Sequence, residues 1–346
     1  MNRILILGPD FCAVTEDGLL TEYMERDPSQ QYGDILGGTI ERMMPGIGCA
    51  FVDIGRKKSG FLPIRENSRS FTGPDIKSGM KEALQIRREE TGNKGAFLSR
   101  DLTLAGTYIL FMPLNRYIGI SSRIREEADR DRLRSLGTEL SGGEYGLIMR
   151  TASATAEKEA ISGEVHELTE KWHQIREKIR SGFSNGDVLY HQDPVSRMIL
   201  DYEAKGIHEK IEVSALSADL QRQLQLAGSR KVSLRNGGNI VIDECEAMTV
   251  IDVNSGSAKA DGVMESTYLQ TNLSACETIA AQIRLRNLSG IILIDFIDMK
   301  TEEDRTRVIR TLSEMLERDR IKTVVHGWTS LGILEMTRKR TEAAKR

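Results

Sequence analysis

Two acidic segments in the last third of this 346-residue chain hold the residues best suited to chemistry. In Thr249-Val250-Ile251-Asp252-Val253-Asn254-Ser255-Gly256, Asp252 interrupts an apolar run. Asp295 does the same in Ile292-Leu293-Ile294-Asp295-Phe296-Ile297-Asp298. Each run reads as a strand that ends within a few residues of its Asp. A strand–helix–strand unit sets such positions on neighbouring strands about 5 Å apart. Two carboxylates that close repel unless a cation lies between them. All-oxygen ligands suit Mg²⁺, with Mn²⁺ as the alternative ion. Asn254 projects to the same side as Asp252 because strand side chains alternate, and Asp298 lies close enough along the chain to assist. The chemistry this set could perform is metal-assisted attack of water on a phosphodiester. Taken singly, each Asp reads equally as a strand-end cap; the pair together with Asn254 carries the metal reading. A calcium loop opening at Asp252 is excluded, because Ser257 stands where its glycine belongs and Val263 where its glutamate belongs.

The surrounding pattern supplies the elements that would position these residues. Residues 231–234 and 239–243 flank the turn Asn236-Gly237-Gly238, a hairpin signal. A strand over 247–253 is followed by a helix over 263–286, whose Leu269, Leu273, Cys276, Ala280 and Ile283 share one face. Then come a strand over 291–297, a helix over 302–318 and a strand over 322–325. Strand–helix–strand order predicts a parallel pair with a right-handed crossover.

A second group of residues lies near the N-terminal end. Residues 34–112 look all-β, with strands expected at 35–40, 48–54, 60–63, 83–88 and 108–112, and five short strands suit an OB-type barrel. Between Arg56 and Arg100 there are eleven Lys or Arg against five Asp or Glu, a local excess on a chain of net charge −3. Such a patch suits a localised phosphate track. Phe51 and Phe61 are candidates for stacking on bases and Lys94 for a backbone phosphate, which favours single-stranded RNA. A lone Phe in a strand is more often core. Residues 113–203 are mixed, with strands at 117–120 and 146–149, a long helix over 157–180 and a helix opened by Asp193-Pro194. Arg150-Thr151 offers a guanidinium fork and a hydroxyl to a phosphate, although an Arg alone is commonly a surface residue.

Other chemistries are not supported. Cys12, Cys49, Cys245 and Cys276 lie far apart with no C-x-x-C pair, and the five His form no compact ligand pattern. No apolar run approaches the ~18–20 residues of a membrane span, and no secretory signal opens the chain, so a cytoplasmic protein is expected.

Together these motifs resemble the ribonuclease E/G family of bacterial endoribonucleases. The matching stretches are AFVDIG from Ala50, GFLP from Gly60, GNKGA from Gly92, YIGISSRI from Tyr117, GLIMRTA from Gly146, MTVIDVNSG from Met248, IRLRNLSG, IDFIDM from Ile294 and LGILEMTRKR from Leu331. The resemblance implies an α+β multidomain chain. Residues 34–112 would be an S1-type OB domain, and 113–203 a 5′-phosphate sensor holding Arg150 and Thr151. Residues 1–33 with 204–249 would be an RNase H-like subdomain, and 250–346 a DNase I-like catalytic subdomain. It also implies Mg²⁺ on Asp252 and Asp295 with Asn254 in support, RNA contacts at Phe51, Phe61 and Lys94, and single-stranded RNA as substrate. Cuts leaving a 5′-phosphate and a 3′-hydroxyl would serve RNA processing or decay. The family's zinc-sharing cysteine pair would follow LGILEMTRKR and is not in this chain, so no zinc is expected, a homodimer stays open and a zinc-linked tetramer is not expected. Ser330 stands where some members place a sensor arginine. The other reading is a non-catalytic S1-domain RNA-binding protein on a degenerate nuclease scaffold.

Overall fold

The computed structural model describes residues 2–27, 29–64, 70–205, 207, 209–256 and 264–340. The chain forms two compact units, one of residues 1–24 with 209–340 and one of residues 25–208.

In the first unit a six-stranded sheet runs in the order Lys231–Ser233, Asn239–Glu244, Met248–Asn254, Gly290–Asp295, Leu334–Arg338, Thr323–Trp328. The Met248–Asn254 and Gly290–Asp295 strands are parallel, and the helix Met264–Leu285 connects them. The apolar stripe read from the sequence forms its packed face, with Cys276, Ala280 and Ile283 buried among Ile251, Ile292 and Ile294 of the sheet. The next helix, Glu302–Leu316, is capped by Thr301, whose side chain accepts from the Asp304 N–H at 3.1 Å, and its first turn is acidic. It buries Val308, Leu312 and Leu316 on the same core. A four-stranded sheet completes this unit, in the order Lys210–Glu212, Arg3–Leu7, Phe11–Glu16, Leu19–Glu25.

The strand expected at 322–325 is present as Thr323–Trp328, but it does not join the Asp295 strand. Leu334–Arg338 lies between them, antiparallel to both. Arg338 fixes that inserted strand: its fully buried guanidinium donates to Asp319 at 2.6 and 3.2 Å, to Asn287 Oδ1 at 2.7 Å and to the Leu288 carbonyl at 3.0 Å. The helix expected from Val263 is described from Met264 onward, while Ser257 and Val263 lie outside the described residues.

In the second unit five strands close into a barrel: Ile35–Met44, Cys49–Asp53, Gly60–Pro63, Phe97–Ser99 and Lys81–Arg88, the last pairing back to the first. Period-two alternation directs Leu36, Ile40, Val52, Leu62, Leu84, Ile86 and Leu98 inward. Sequence pattern put the fifth strand at 108–112. Instead Ile109–Met112 pairs with Leu104–Ala105 and Gly146–Met149 in a separate sheet that also holds Ile118–Ile120. A run of β-formers marks a strand but not the sheet it joins, and the true fifth strand is three residues long. The helices Glu127–Ser141 and Lys158–Ser181 cover the second sheet, the latter burying Val165, Leu168, Trp172 and Ile175. Among the described residues no helix is long and apolar enough to cross a membrane.

Candidate functional site

The register of the parallel strand pair sets Asp252 directly opposite Asp295. Neighbours Ile251, Val253 and Ile294 are buried in the core, so alternation turns both carboxylates out of the sheet, and both are exposed. Asn254 donates through Nδ2 to Asp252 Oδ2 at 2.8 Å and so fixes the rotation of that carboxylate. Asp298 is exposed in the segment after the second strand. Partial burial, followed by the charges of Asp252 and Asp298, pushes the Asp295 carboxyl above its ordinary range. Among the described residues no Lys, Arg or His makes an ion pair with any of the three. Among the described residues the site is an acidic cluster with no paired cation, chemically suited to a hard cation. Among the described residues no three acidic, His or Cys side chains converge into a complete metal cage. Were an ion bound here, the Asp pair would be the protein's share of its coordination shell. That fits Mg²⁺, which is usually held by one or two carboxylates, with waters and substrate phosphates completing the shell.

Two asparagines hold this arrangement: Asn272, unremarked in the sequence, and Asn236 of the hairpin turn. Asn272, fully buried on the connecting helix, donates to the Ile297 carbonyl at 2.8 Å and accepts from the Ile297 N–H at 3.1 Å, pinning the backbone one residue before Asp298. Asn236 donates to Thr271 Oγ1 at 3.0 Å and accepts from Gly238 N–H at 3.2 Å, tying the hairpin turn to the same helix. Gly238 is required there, since a Cβ would sit 2.8 Å from the Asn254 carbonyl oxygen. A polar residue within an amphipathic helix gives no signal of its partner, which explains why Asn272 was missed.

The two buried cysteines of this unit do not offer thiol chemistry. Burial pushes the Cys12 thiol up to about 12, with the Glu22 charge adding, and burial does the same for Cys276. Neither forms a thiolate nucleophile near neutral pH.

On the barrel, Phe51 and Phe61 are register partners on adjacent strands and their rings meet edge-on, 6.4 Å apart at 84°. Both are half-buried on the outer face while Ala50, Val52 and Leu62 fill the interior. They line a groove of about 640 Å³ together with Lys94, which is exposed. Sequence reasoning missed two other members of this lining, Phe97 and Arg88.

Residues 103–215 and 208–341 match the model of the ribonuclease E/G family. Relatives span most of the chain. Ribonuclease G of Escherichia coli (strain K12) is 32% identical over 378 residues, covering 95% of this chain and 77% of the relative. Ribonuclease G of Haemophilus influenzae is 34% identical over 379 residues with the same coverage. Ribonuclease E of Nostoc sp. is 30% identical over 370 residues, covering 95% of this chain and 54% of its own length. The chain belongs to the ribonuclease E/G family.

The resemblance to that family assigned a 5′-phosphate contact to Arg150 and Thr151. Arg150 is mostly buried and already engaged, donating to Asp201 Oδ1 at 2.6 Å and to the Gly106 carbonyl. Burial pulls its pKa down and the Asp201 charge opposes that pull. Arg197 shares the same carboxylate at 3.2 Å. Thr151 is half-buried, its Oγ1 3.2 Å from Ser121 Oγ. The two residues are adjacent, but in this arrangement a phosphate would compete with Asp201 for the guanidinium.

Proposed function

We propose that this ribonuclease E/G family member is a Mg²⁺-dependent endoribonuclease that cuts single-stranded RNA in processing or decay, leaving 5′-phosphate and 3′-hydroxyl ends. One observation carries the reading: Asp252 and Asp295 are register partners on parallel strands with no cationic side chain paired to them among the described residues. A bound divalent ion would supply Lewis-acid polarisation of the phosphoryl oxygen and a more acidic attacking water. Asp252 and Asp295 would hold that ion, Asn254 keeps the Asp252 carboxylate in one orientation, and Asn272 steadies the backbone leading to Asp298. On the barrel, Phe51 and Phe61 stack on bases and Lys94 neutralises backbone phosphate, a sequence-tolerant grip suited to a single strand. Arg150 and Thr151 are the proposed contacts for a 5′-terminal phosphate.

The second reading, a non-catalytic RNA binder, is supported by the barrel face but leaves the acidic pair without a role. The test is end-labelled A/U-rich single-stranded RNA incubated with wild-type chain and Asp252→Ala, in Mg²⁺ and in EDTA. Cleavage should occur only with the wild type in Mg²⁺ and should yield 5′-phosphate products. Cleavage by Asp252→Ala at the wild-type rate would refute the assignment, and binding in EDTA without cleavage in Mg²⁺ would favour the binder.

A further inference from the structure

The outer face of the barrel carries a longer row than the two phenylalanines. Reading across the strands, Arg42 lies opposite Phe51, Phe51 opposite Phe61, Phe61 opposite Phe97, and Phe97 opposite Arg88. Five side chains from five strands thus form one line, with three aromatic rings between two arginines. Phe97 is half-buried while its neighbours Ala96 and Leu98 are buried, so alternation turns its ring outward rather than into the core. Its plane lies within 23° of the Phe61 ring with centroids 5.5 Å apart, so the two form one stacked surface. The Arg88 guanidinium covers that surface at its far end, 5.4 Å from the Phe97 centroid. Among the described residues no carboxylate pairs with Arg88, which leaves its planar N–H fork open to a phosphate. Lys58 and Lys94 line the same groove, so cations flank an apolar floor. A floor of π-faces with cations beside it matches a nucleotide strand, whose bases stack while its phosphates pair. An acidic or proline-rich peptide would use only half of these features.

We propose that Phe97 is a third base-stacking residue of this groove and that Arg88 contacts the phosphate of the nucleotide held there, extending the bound single strand by one nucleotide beyond Phe51 and Phe61. The inference rests on the RNA-binding reading of the barrel face given above and goes beyond the residues that reading uses.

The experiment is a fluorescence-anisotropy titration of 5′-labelled oligouridylates of increasing length, in EDTA so that nothing is cut, with the full chain. The variants are Phe97→Leu, Phe97→Tyr, Arg88→Gln and, as a reference, Phe61→Leu. Loss of one base stack should weaken binding by Phe97→Leu about five- to hundred-fold. Its dependence on salt should stay unchanged, and its affinity should stop rising with oligomer length one nucleotide earlier than in the wild type. Phe97→Tyr keeps the π-face and should bind as the wild type does. Arg88→Gln should flatten the log–log salt dependence by about 0.7, the share of one phosphate contact on a single strand. Wild-type affinity of Phe97→Leu alongside weakened Phe61→Leu would overturn the inference and leave the RNA-binding barrel standing. Equal loss in Phe97→Leu and Phe97→Tyr would overturn it too, because the ring face survives in Tyr. Unchanged binding in both Phe61→Leu and Phe97→Leu would overturn the barrel reading itself.

Discussion

Replacing Asp295 with Asn keeps the side chain's shape and removes its charge. Asp252 and Asp295 are register partners, and side chains so placed are about 5 Å apart. Two unit charges at that separation repel by about 0.8 kcal/mol in a water-like medium. Both carboxylates are exposed, so no larger figure is warranted, and Asp298 adds repulsion of the same sign. Asp295→Asn should therefore stabilise the fold by about 0.5–1 kcal/mol at low ionic strength, a rise of about 1–3 °C in Tm. In 1 M salt, where the Debye length is about 3 Å, the gain should fade. The same substitution should lower RNA cleavage at least about a hundred-fold, since a carboxylate proposed to hold the ion is gone. Mg²⁺ should raise the Tm of the wild type by mass-action linkage and leave that of the variant nearly unchanged. Thermal unfolding with and without Mg²⁺, at two salt concentrations, reads all of this beside a cleavage assay. A variant less stable than the wild type, or one stabilised by Mg²⁺ as strongly as the wild type, would refute the reasoning.

Three further outcomes follow from the geometry. Glu16 is buried, which pushes its carboxyl up, but hydrogen bonds and charge from Arg284 and Arg3 outweigh this and hold it at about 2 against an ordinary 4.5. Its folded pKa lies below the unfolded one, so its stabilisation, about 3 kcal/mol, is present above pH 4.5 and lost as pH falls toward 2. Denaturant unfolding of Glu16→Gln across that range should show a deficit at pH 7 that shrinks on acidification; a constant deficit would contradict the linkage. Asp201→Asn removes the carboxylate that holds Arg150 and should increase the preference for 5′-monophosphorylated over 5′-hydroxyl RNA several-fold, whereas an unchanged ratio would remove the sensor role. Asn272→Leu leaves the Ile297 N–H and C=O without partners and should cost about 2–3 kcal/mol, with lower cleavage, in unfolding and rate measurements; a neutral result would show that the segment is held by other contacts.

The acidic site was legible because its signal is local: an Asp inside a short apolar run is costly, and two such runs joined by one amphipathic helix imply adjacent parallel strands. The observed pairing of Asp252 with Asp295 follows from that pattern. What the sequence hides is partnership at long range. Nothing near Leu334–Arg338 announces that it enters the sheet beside the Asp295 strand, since the anchor is a buried ion pair to Asp319. Residues 108–112 have strand propensity, yet their sheet is decided by pairing with Gly146–Met149, more than thirty residues on. Phe97 sits in a three-residue strand too short to show alternation, so only the closed barrel aligns it with Phe61. Arg150 looked like an open phosphate ligand because Asp201, its partner, lies fifty-one residues away.

The central claim is that the two carboxylates share one divalent ion with the scissile phosphate. Its most direct test is cleavage of an RNA carrying a single sulfur in place of a non-bridging oxygen at the cut linkage, each stereoisomer assayed separately in Mg²⁺ and in Mn²⁺. Mg²⁺ prefers oxygen strongly, while Mn²⁺ accepts softer ligands more readily. For one stereoisomer the wild type should be slow in Mg²⁺ and recover in Mn²⁺. Equal rates for sulfur- and oxygen-containing RNA in Mg²⁺, or a slowing that Mn²⁺ does not relieve, would contradict an ion on that phosphate.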